Sequence, residues 1–318
     1  MLLEGKRLIC DAIDANVKIK TIYFTKEENL VGIQDLNQLI AKGVHLKKVL
    51  YRDMKLFSEL TTSPGVMAIS ERPDRNCLTT IKESYLNQIL PLILIGDNVR
   101  DPGNLGTMVR CAAAVGAQKV VLLKGCVDAW DSKVLRSGAG AHFRIPIYSD
   151  IEWPFIFNHI PIDKPFDLFV ADPKEDQIIG DKDSSQIPSN TINTITREID
   201  YLTEETYVRD ESYDESNPDL IKYRNLSLPL TSYTDSKFYT SGIERPIVLV
   251  IGGETLGLSN QSYKLVYDYI GRKIKIPLAV GVDSLNSAVS AAIIMYEMKR
   301  QFESRHNDSS IKSLETNV

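Results

Sequence analysis

The sequence predicts an α/β protein built on a parallel sheet, with a smaller α/β unit ahead of it. Two observations predict this. From Leu92 onward, short apolar runs recur: LILI (92–95), VVLL (120–123), FRIPI (143–147), DLFVA (167–171), IVLVI (247–251) and IKIPL (274–278). Strands with no polar alternation belong to parallel sheets covered on both faces. Between them fall segments with helical spacing, at 105–115, 132–137, 261–269 and 285–302, and that alternation implies crossover connections.

The first unit is predicted over residues 1–72. The opening MLLEGKRLICDAI reads at once as a helix, with Leu8, Ile9, Ala12 and Ile13 on one face. A β-rich stretch at 19–25, a helix carrying Leu36, Leu39 and Ile40, a strand at 46–51 and a helix at 54–60 follow. Ser63-Pro64-Gly65 marks a turn into a last strand at 66–70. Residues 73–90 read as a polar linker, and 91–305 as the larger domain. Inside that domain, about 173–243 is polar and too long for an ordinary connection, so a disordered surface insertion is expected there. A disordered tail is expected over 306–318.

Composition excludes several function classes. With 43% hydrophobic and 25% charged residues the chain is ordinary for a globular protein. No apolar run approaches the roughly 18–20 residues of a membrane helix, so no membrane partner is expected. Cys10, Cys77, Cys111 and Cys126 are scattered without a C-x-x-C pair, which argues against a disulfide framework and against a metal site. The net charge of −5 is unevenly spread. Residues 172–240 hold 15 Asp/Glu against 7 Lys/Arg, while the rest of the chain holds 30 Lys/Arg against 27 Asp/Glu. The body is therefore mildly basic, which permits an RNA partner. No leader sequence is apparent ahead of the first helix, so either the chain is cytoplasmic or a leader is missing from it.

Three segments carry the chemistry. DNVRDPGNLGTMVRCAAAVGA (97–117) passes from a strand end into a helix, with Asn104 and Gly106 at its turn and Arg110 further in. IGGETLGLS (251–259) ends a buried strand in Gly252, Gly253 and Glu254. IKIPLAVGVDSLNSAVSAAII (274–294) leads from a strand through a loop to a helix opening at Ser284-Leu285-Asn286. All three lie at the C-terminal ends of strands, where open α/β sheets bind ligands. The glycines admit close backbone approach to a ligand or a positive φ, and Ser284 is a reasonable helix cap. Taken singly, each has a plainer meaning: a solvated helix arginine, a turn, a cap. SGAG (137–140) follows a helix and lacks dinucleotide-loop spacing.

Together and in this order, the three segments resemble the SpoU/TrmH family of RNA 2′-O-ribose methyltransferases. KVLRSGAGAHFRIPI (133–147) is similar to the family's segment between the first two motifs, and residues 1–72 resemble its L30e-like substrate-binding domain. The wording NVRDPGNLGT and GVDSLNSA is similar to the mitochondrial rRNA methyltransferase 3 subgroup, which also carries a long polar insertion.

The resemblance implies a SPOUT-type α/β knot, with a deep C-terminal trefoil, and a homodimer. It implies S-adenosyl-L-methionine as cofactor, held around Gly252, Gly253, Leu258, Ile276, Pro277 and Leu285. It matches Arg110 to the family's catalytic arginine and Asn104, Glu254, Ser284 and Asn286 to the other polar site positions. It further implies large-subunit rRNA as partner, a guanosine as target and a mitochondrial setting. Arginine keeps its charge in proteins, so a grip on phosphate or on the developing alkoxide suits Arg110 better than a base. Lys6, Lys18, Lys20, Lys47, Lys48 and Arg52 are candidate phosphate contacts in the first unit. The acidic insertion is expected to be a tolerated surface loop. Two rival readings are a non-catalytic RNA-binding or ribosome-assembly protein on the same fold, and an oxidoreductase, which lacks its dinucleotide fingerprint here.

Overall fold

The computed structural model describes residues 1–58, 60–73, 89–172, 218–224, 226, 228–238 and 245–315, with 218–219 and 306–315 described by backbone alone. The N-terminal unit comprises β1 (Leu2–Glu4), α1 (Lys6–Asp14), β2 (Ile19–Phe24), α2 (Leu36–Ala41), β3 (His45–Lys48), α3 (Tyr51–Phe57) and β4 (Val66–Ser70). Across its sheet the order is β1-β4-β2-β3, with β4 antiparallel to both neighbours and β2 parallel to β3. The chain thus opens on a strand, not on the predicted helix. Three residues are too few to show alternation, and Gly5, at φ 97°, turns the chain from β1 into α1.

The larger domain holds β5 (Leu90–Asp97), α4 (Pro102–Val115), β6 (Ala117–Leu123), α5 (Ser132–Gly138), β7 (Ile147–Ile151) and β8 (Asp167–Ala171). Then come α6 (Pro218–Arg224), β9 (Leu230–Ser232), β10 (Ile247–Gly252), α7 (Asn260–Asp268), β11 (Arg272–Lys275) and α8 (Ser287–Glu315). Its seven strands are all parallel, in the order β7-β6-β5-β10-β8-β11-β9.

Burial explains the apolar runs. Along β5, Leu92 and Leu94 enter one core cluster while Ile93 and Ile95 enter the other; along β10, Ile247, Leu249 and Ile251 alternate with Val248 and Val250 in the same way. Successive side chains point to opposite faces, and here both faces are dry. The FRIPI run is different: Ala141–Phe143 forms a 3-10 turn and the strand begins only at Ile147. Ala139 and Gly140, both left-handed, make that turn, and its apolar residues fill core without pairing.

The two units are packed together. Arg144 pairs with Asp11 at 3.1 Å and Arg136 reaches Glu4 at 3.9 Å. At Gly140 a Cβ would stand 2.2 Å from the Asp11 carboxylate, so this contact requires glycine.

The expectation of disorder over 173–243 needs correction. Residues 173–217 and 239–244 lie outside the described residues, but the stretch between them is folded. Helix α6 packs on α7, β9 pairs with β11, and Phe238 is 1% exposed, edge-on to Phe169 at 5.2 Å. Gln301 fastens this limb, accepting from the Phe238 amide at 3.0 Å and donating to the Ser236 carbonyl at 2.9 Å. Its apolar anchors are too widely spaced to set up a period. The tail expected over 306–318 is likewise helical as far as Glu315, continuing α8. The expected linker falls mostly outside the described residues. No described helix is long and apolar enough to cross a membrane, and the described residues hold no group of His, Cys, Asp or Glu that could hold a metal ion.

Candidate active site

The three motifs meet at the C-terminal ends of the adjacent central strands β5 and β10, where Gly252 stands opposite Asp97. Asp101 caps α4 by accepting the Asn104 amide at 2.7 Å, and Pro102 supplies a preset φ in the first turn. That cap fixes the position from which the Asn104 side chain projects.

Asn286 joins the motifs. Its side-chain amide donates to Glu254 Oε1 at 2.6 Å and to Asn104 Oδ1 at 2.8 Å. Glu254 Oε1 also accepts the Ser287 amide at 3.1 Å. The Asn286 oxygen accepts the amides of Ala288 and Val289, at 3.0 and 3.1 Å, and so caps α8. The cap expected of Ser284 therefore belongs to Asn286, because an oxygen directly before the helix reaches its free N–H groups and one two residues earlier does not. Ser284 is exposed in the 276–286 segment.

Gly252 and Gly253 serve the chain's own packing. Neither has a positive φ. A Cβ on Gly252 would lie 2.6 Å from the Gly257 carbonyl carbon, and one on Gly253 would lie 2.0 Å from the Asn98 oxygen. The space they leave is filled by neighbouring backbone. Gly253 and Gly257 form a short bridge, with the Gly257 amide donating at 2.9 Å.

Beneath this turn lies Asp97, 1% exposed and not singled out from sequence. Its Oδ2 accepts the Ser259 amide at 2.6 Å and the Ser262 hydroxyl at 2.7 Å. Ser259 in turn caps α7. The only sequence signal was an acid closing an otherwise apolar strand. Cys126 braces the same loop: it accepts the Val99 amide at 3.4 Å and donates to the Gly96 carbonyl at 3.3 Å.

The other expected positions divide into two groups. Leu258 buries its side chain in the second core cluster, leaving only main chain for a ligand. Ile276 and Leu285 are half-buried and Pro277 is exposed, giving an open apolar edge beside Glu254 and Asn286. Arg110 is exposed on α4 and forms no ion pair among the described residues. Six residues past Asn104, it stands about 9 Å along the helix axis and outside the Asn286 junction. In the first unit, Lys18 and Lys20 pair with Glu71, Lys48 with Glu27 and Arg52 with Asp53. Lys6 and Lys47 have no ion pair among the described residues.

An all-parallel sheet with motif loops gathered on its central strands is shared by several α/β enzyme classes, the SPOUT class among them. Residues 91–192 and 178–296 match the SpoU rRNA Methylase family, and residues 2–75 match the RNA 2′-O ribose methyltransferase substrate-binding family. The chain is 37% identical over 306 residues to rRNA methyltransferase 3, mitochondrial, of Xenopus laevis, covering 95% of this chain and 70% of that protein. It is 40% identical over 301 residues to the Danio rerio protein rRNA methyltransferase 3A, mitochondrial, again covering 95% of this chain but 64% of that protein. The fold is similar to that of the SpoU methyltransferase AviRb from Streptomyces viridochromogenes in complex with AdoMet, with a TM-score of 0.64 at 21% identity over 96% of this chain and 91% of that one. The chain belongs to the SpoU family and is an RNA 2′-O-ribose methyltransferase.

Proposed function

We propose that this enzyme methylates a ribose 2′-hydroxyl of large-subunit ribosomal RNA, at a guanosine, in mitochondria, with S-adenosyl-L-methionine as donor. The observation that carries the reading is the Asn286 junction, which ties Asn104, Glu254 and the start of α8 into one polar cluster. The names of the relatives support the rRNA substrate and the compartment.

The residues fit the donor. The half-exposed side chains of Ile276, Leu278 and Leu285 suit the faces of a planar base, and the backbone of the adjoining loops suits its polar edge. When bound, the donor supplies a methyl group on a positively charged sulfur, so that the leaving group is neutral. The protein's share is then chiefly to hold the reactants, which is worth roughly 7–11 kcal/mol when orientation is good. Glu254, with one carboxylate oxygen taken by Asn286 and Ser287, is fixed as a negative wall of the site. Arg110, without an ion pair among the described residues, is the cation for the target phosphate or for the 2′-oxygen as its proton leaves. A trefoil threading of the 276–286 segment and a homodimer completing each site belong to the same reading.

Labelled methyl transfer to large-subunit rRNA fragments, run beside Arg110→Ala, tests it. Label at a ribose 2′-oxygen that disappears in the variant is the expected result. Intact cofactor binding without transfer to any fragment would shift the substrate to a ribosomal assembly intermediate. Failure to bind the cofactor would favour the non-catalytic RNA-binding reading.

A further inference from the structure

Two residues on either side of the stretch 173–217 act on one side chain beneath the cofactor loop. Asp172, just past β8, accepts a hydrogen bond from the Tyr263 hydroxyl at 2.8 Å. Arg224, the last residue of α6, lies over the Tyr263 ring with its guanidinium carbon 5.9 Å from the centroid. Tyr263 is 5% exposed and shares a core cluster with Leu258 of the cofactor loop and Leu228 of the returning limb. Asp172 is further held by Lys273 at 3.6 Å, a pair in which both side chains are almost fully buried.

Arg224 also reaches the loop itself. Its terminal nitrogen stands 3.9 Å from the point where a Cβ would sit on Gly257. Gly257, at φ 69°, closes the Gly253–Gly257 bridge. Arg224 is exposed and has no ion pair among the described residues. Elsewhere on α6, Tyr223 meets Tyr267 of α7 at 5.6 Å and packs against the second core cluster, and Lys222 lies over Tyr223.

We propose that Arg224 is a positioning residue for the cofactor loop, and that the returning limb of the insertion is thereby part of the cofactor site. A cation on the Tyr263 face beside Gly257 restricts the 253–258 turn, in addition to the bonds that Asp97 makes to it. In water such a contact is modest, but it acts on a loop whose alternative is local opening. The inference rests on the reading of this loop as the cofactor's.

The test uses the full chain carrying Arg224→Ala, Arg224→Lys and, as control on the same helix, Lys222→Ala. S-adenosylmethionine affinity is measured by calorimetry, and amide hydrogen exchange at 253–258 is measured without ligand. Arg224→Ala is expected to weaken binding about fivefold and to speed exchange in the loop, with the ligand-free melting temperature unchanged. Arg224→Lys should recover part of both effects, and Lys222→Ala should match wild type. Methyl transfer at saturating cofactor should retain its kcat while KM for the cofactor rises. Unchanged exchange in Arg224→Ala overturns the inference, as does a general loss of stability that accounts for the weaker binding. A wild-type protein that binds no cofactor defeats the functional reading instead, while the exchange result still decides whether Arg224 braces the loop.

Discussion

Asp97 and Ser259 lie 162 positions apart in the chain, and the Ser259 amide donates to the Asp97 carboxylate at 2.6 Å. This bond fastens the loop after β10 to the end of β5. Asp97→Ala leaves the Ser259 amide and the Ser262 hydroxyl without their buried acceptor. A loss of about 3 kcal/mol is expected in urea unfolding, since bonds to a charged group contribute about 1.5–3 kcal/mol each and are not additive. Asp97→Asn, which keeps one acceptor, should lose less.

Asn286 does two separable things. Asn286→Asp keeps the oxygen that caps α8 but sets a second carboxylate against Glu254 and removes the donor to Asn104. Methyl transfer should fall at least tenfold with little change in melting temperature. Asn286→Ala should lose the transfer and also about 1 kcal/mol for the cap. Comparing the two variants by calorimetric melting and initial rates separates cap from site.

Gly106 faces α5 with no room to spare. A Cβ there would lie 1.8 Å from the Ser137 hydroxyl and 2.4 Å from the Val134 carbonyl oxygen. Gly106→Ala should cost several kcal/mol and give mostly insoluble protein. Adding Ser137→Ala removes only the first clash, so solubility should not return. A soluble, stable double variant would show that the α4–α5 contact is looser than these distances.

His142 is fully buried against Trp130, with ring centroids 5.6 Å apart. Burial pushes its pKa down from 6.5 to about 4, and the Ala129 carbonyl opposes this only in part. The folded state therefore disfavours the proton. Stability from this site is complete above pH 6.5 and is lost as pH falls toward 4, by about 3 kcal/mol. His142→Phe should flatten that part of the stability profile in urea unfolding measured from pH 7 to 4.

Burial pushes the Cys126 thiol up to about 12. Little thiolate exists at pH 8, and the sulfur is engaged on both sides by Val99 and Gly96. Iodoacetamide should leave Cys126 unmodified in the native protein and modify it in urea, as read by peptide mass mapping. Rapid native modification at this residue would show that the 96–99 loop opens.

The legible parts of the fold were those with a local cause. Runs such as 92–95 and 247–251 announced the sheet because both faces are dry, and Asn104, Glu254 and Asn286 were reachable because their motifs resemble a family's. The remaining parts depend on distant partners. Strand β9 exists because β11 offers it an edge, and Leu228 and Phe238 are anchors only because a core waits for them. Tyr263 and Asp172 look like ordinary helix and loop residues until α6 is placed. Ser284 was assigned a cap that Asn286 makes, a difference of two positions that pattern alone could not resolve.

The middle of the sheet also sets a schedule for biosynthesis. Strand β10 fits between β5 and β8, so both neighbours leave the ribosome before the strand that separates them. About 80 residues separate the end of β8 from the end of β10, which at about 5–20 residues per second is roughly 4–16 s of translation. During that interval β5 carries one unpaired edge and β8 two, since β11 also follows β10 in the chain. The catalytic half can close only after the polar insertion has been made, and until then its most apolar segments depend on being kept apart from other chains.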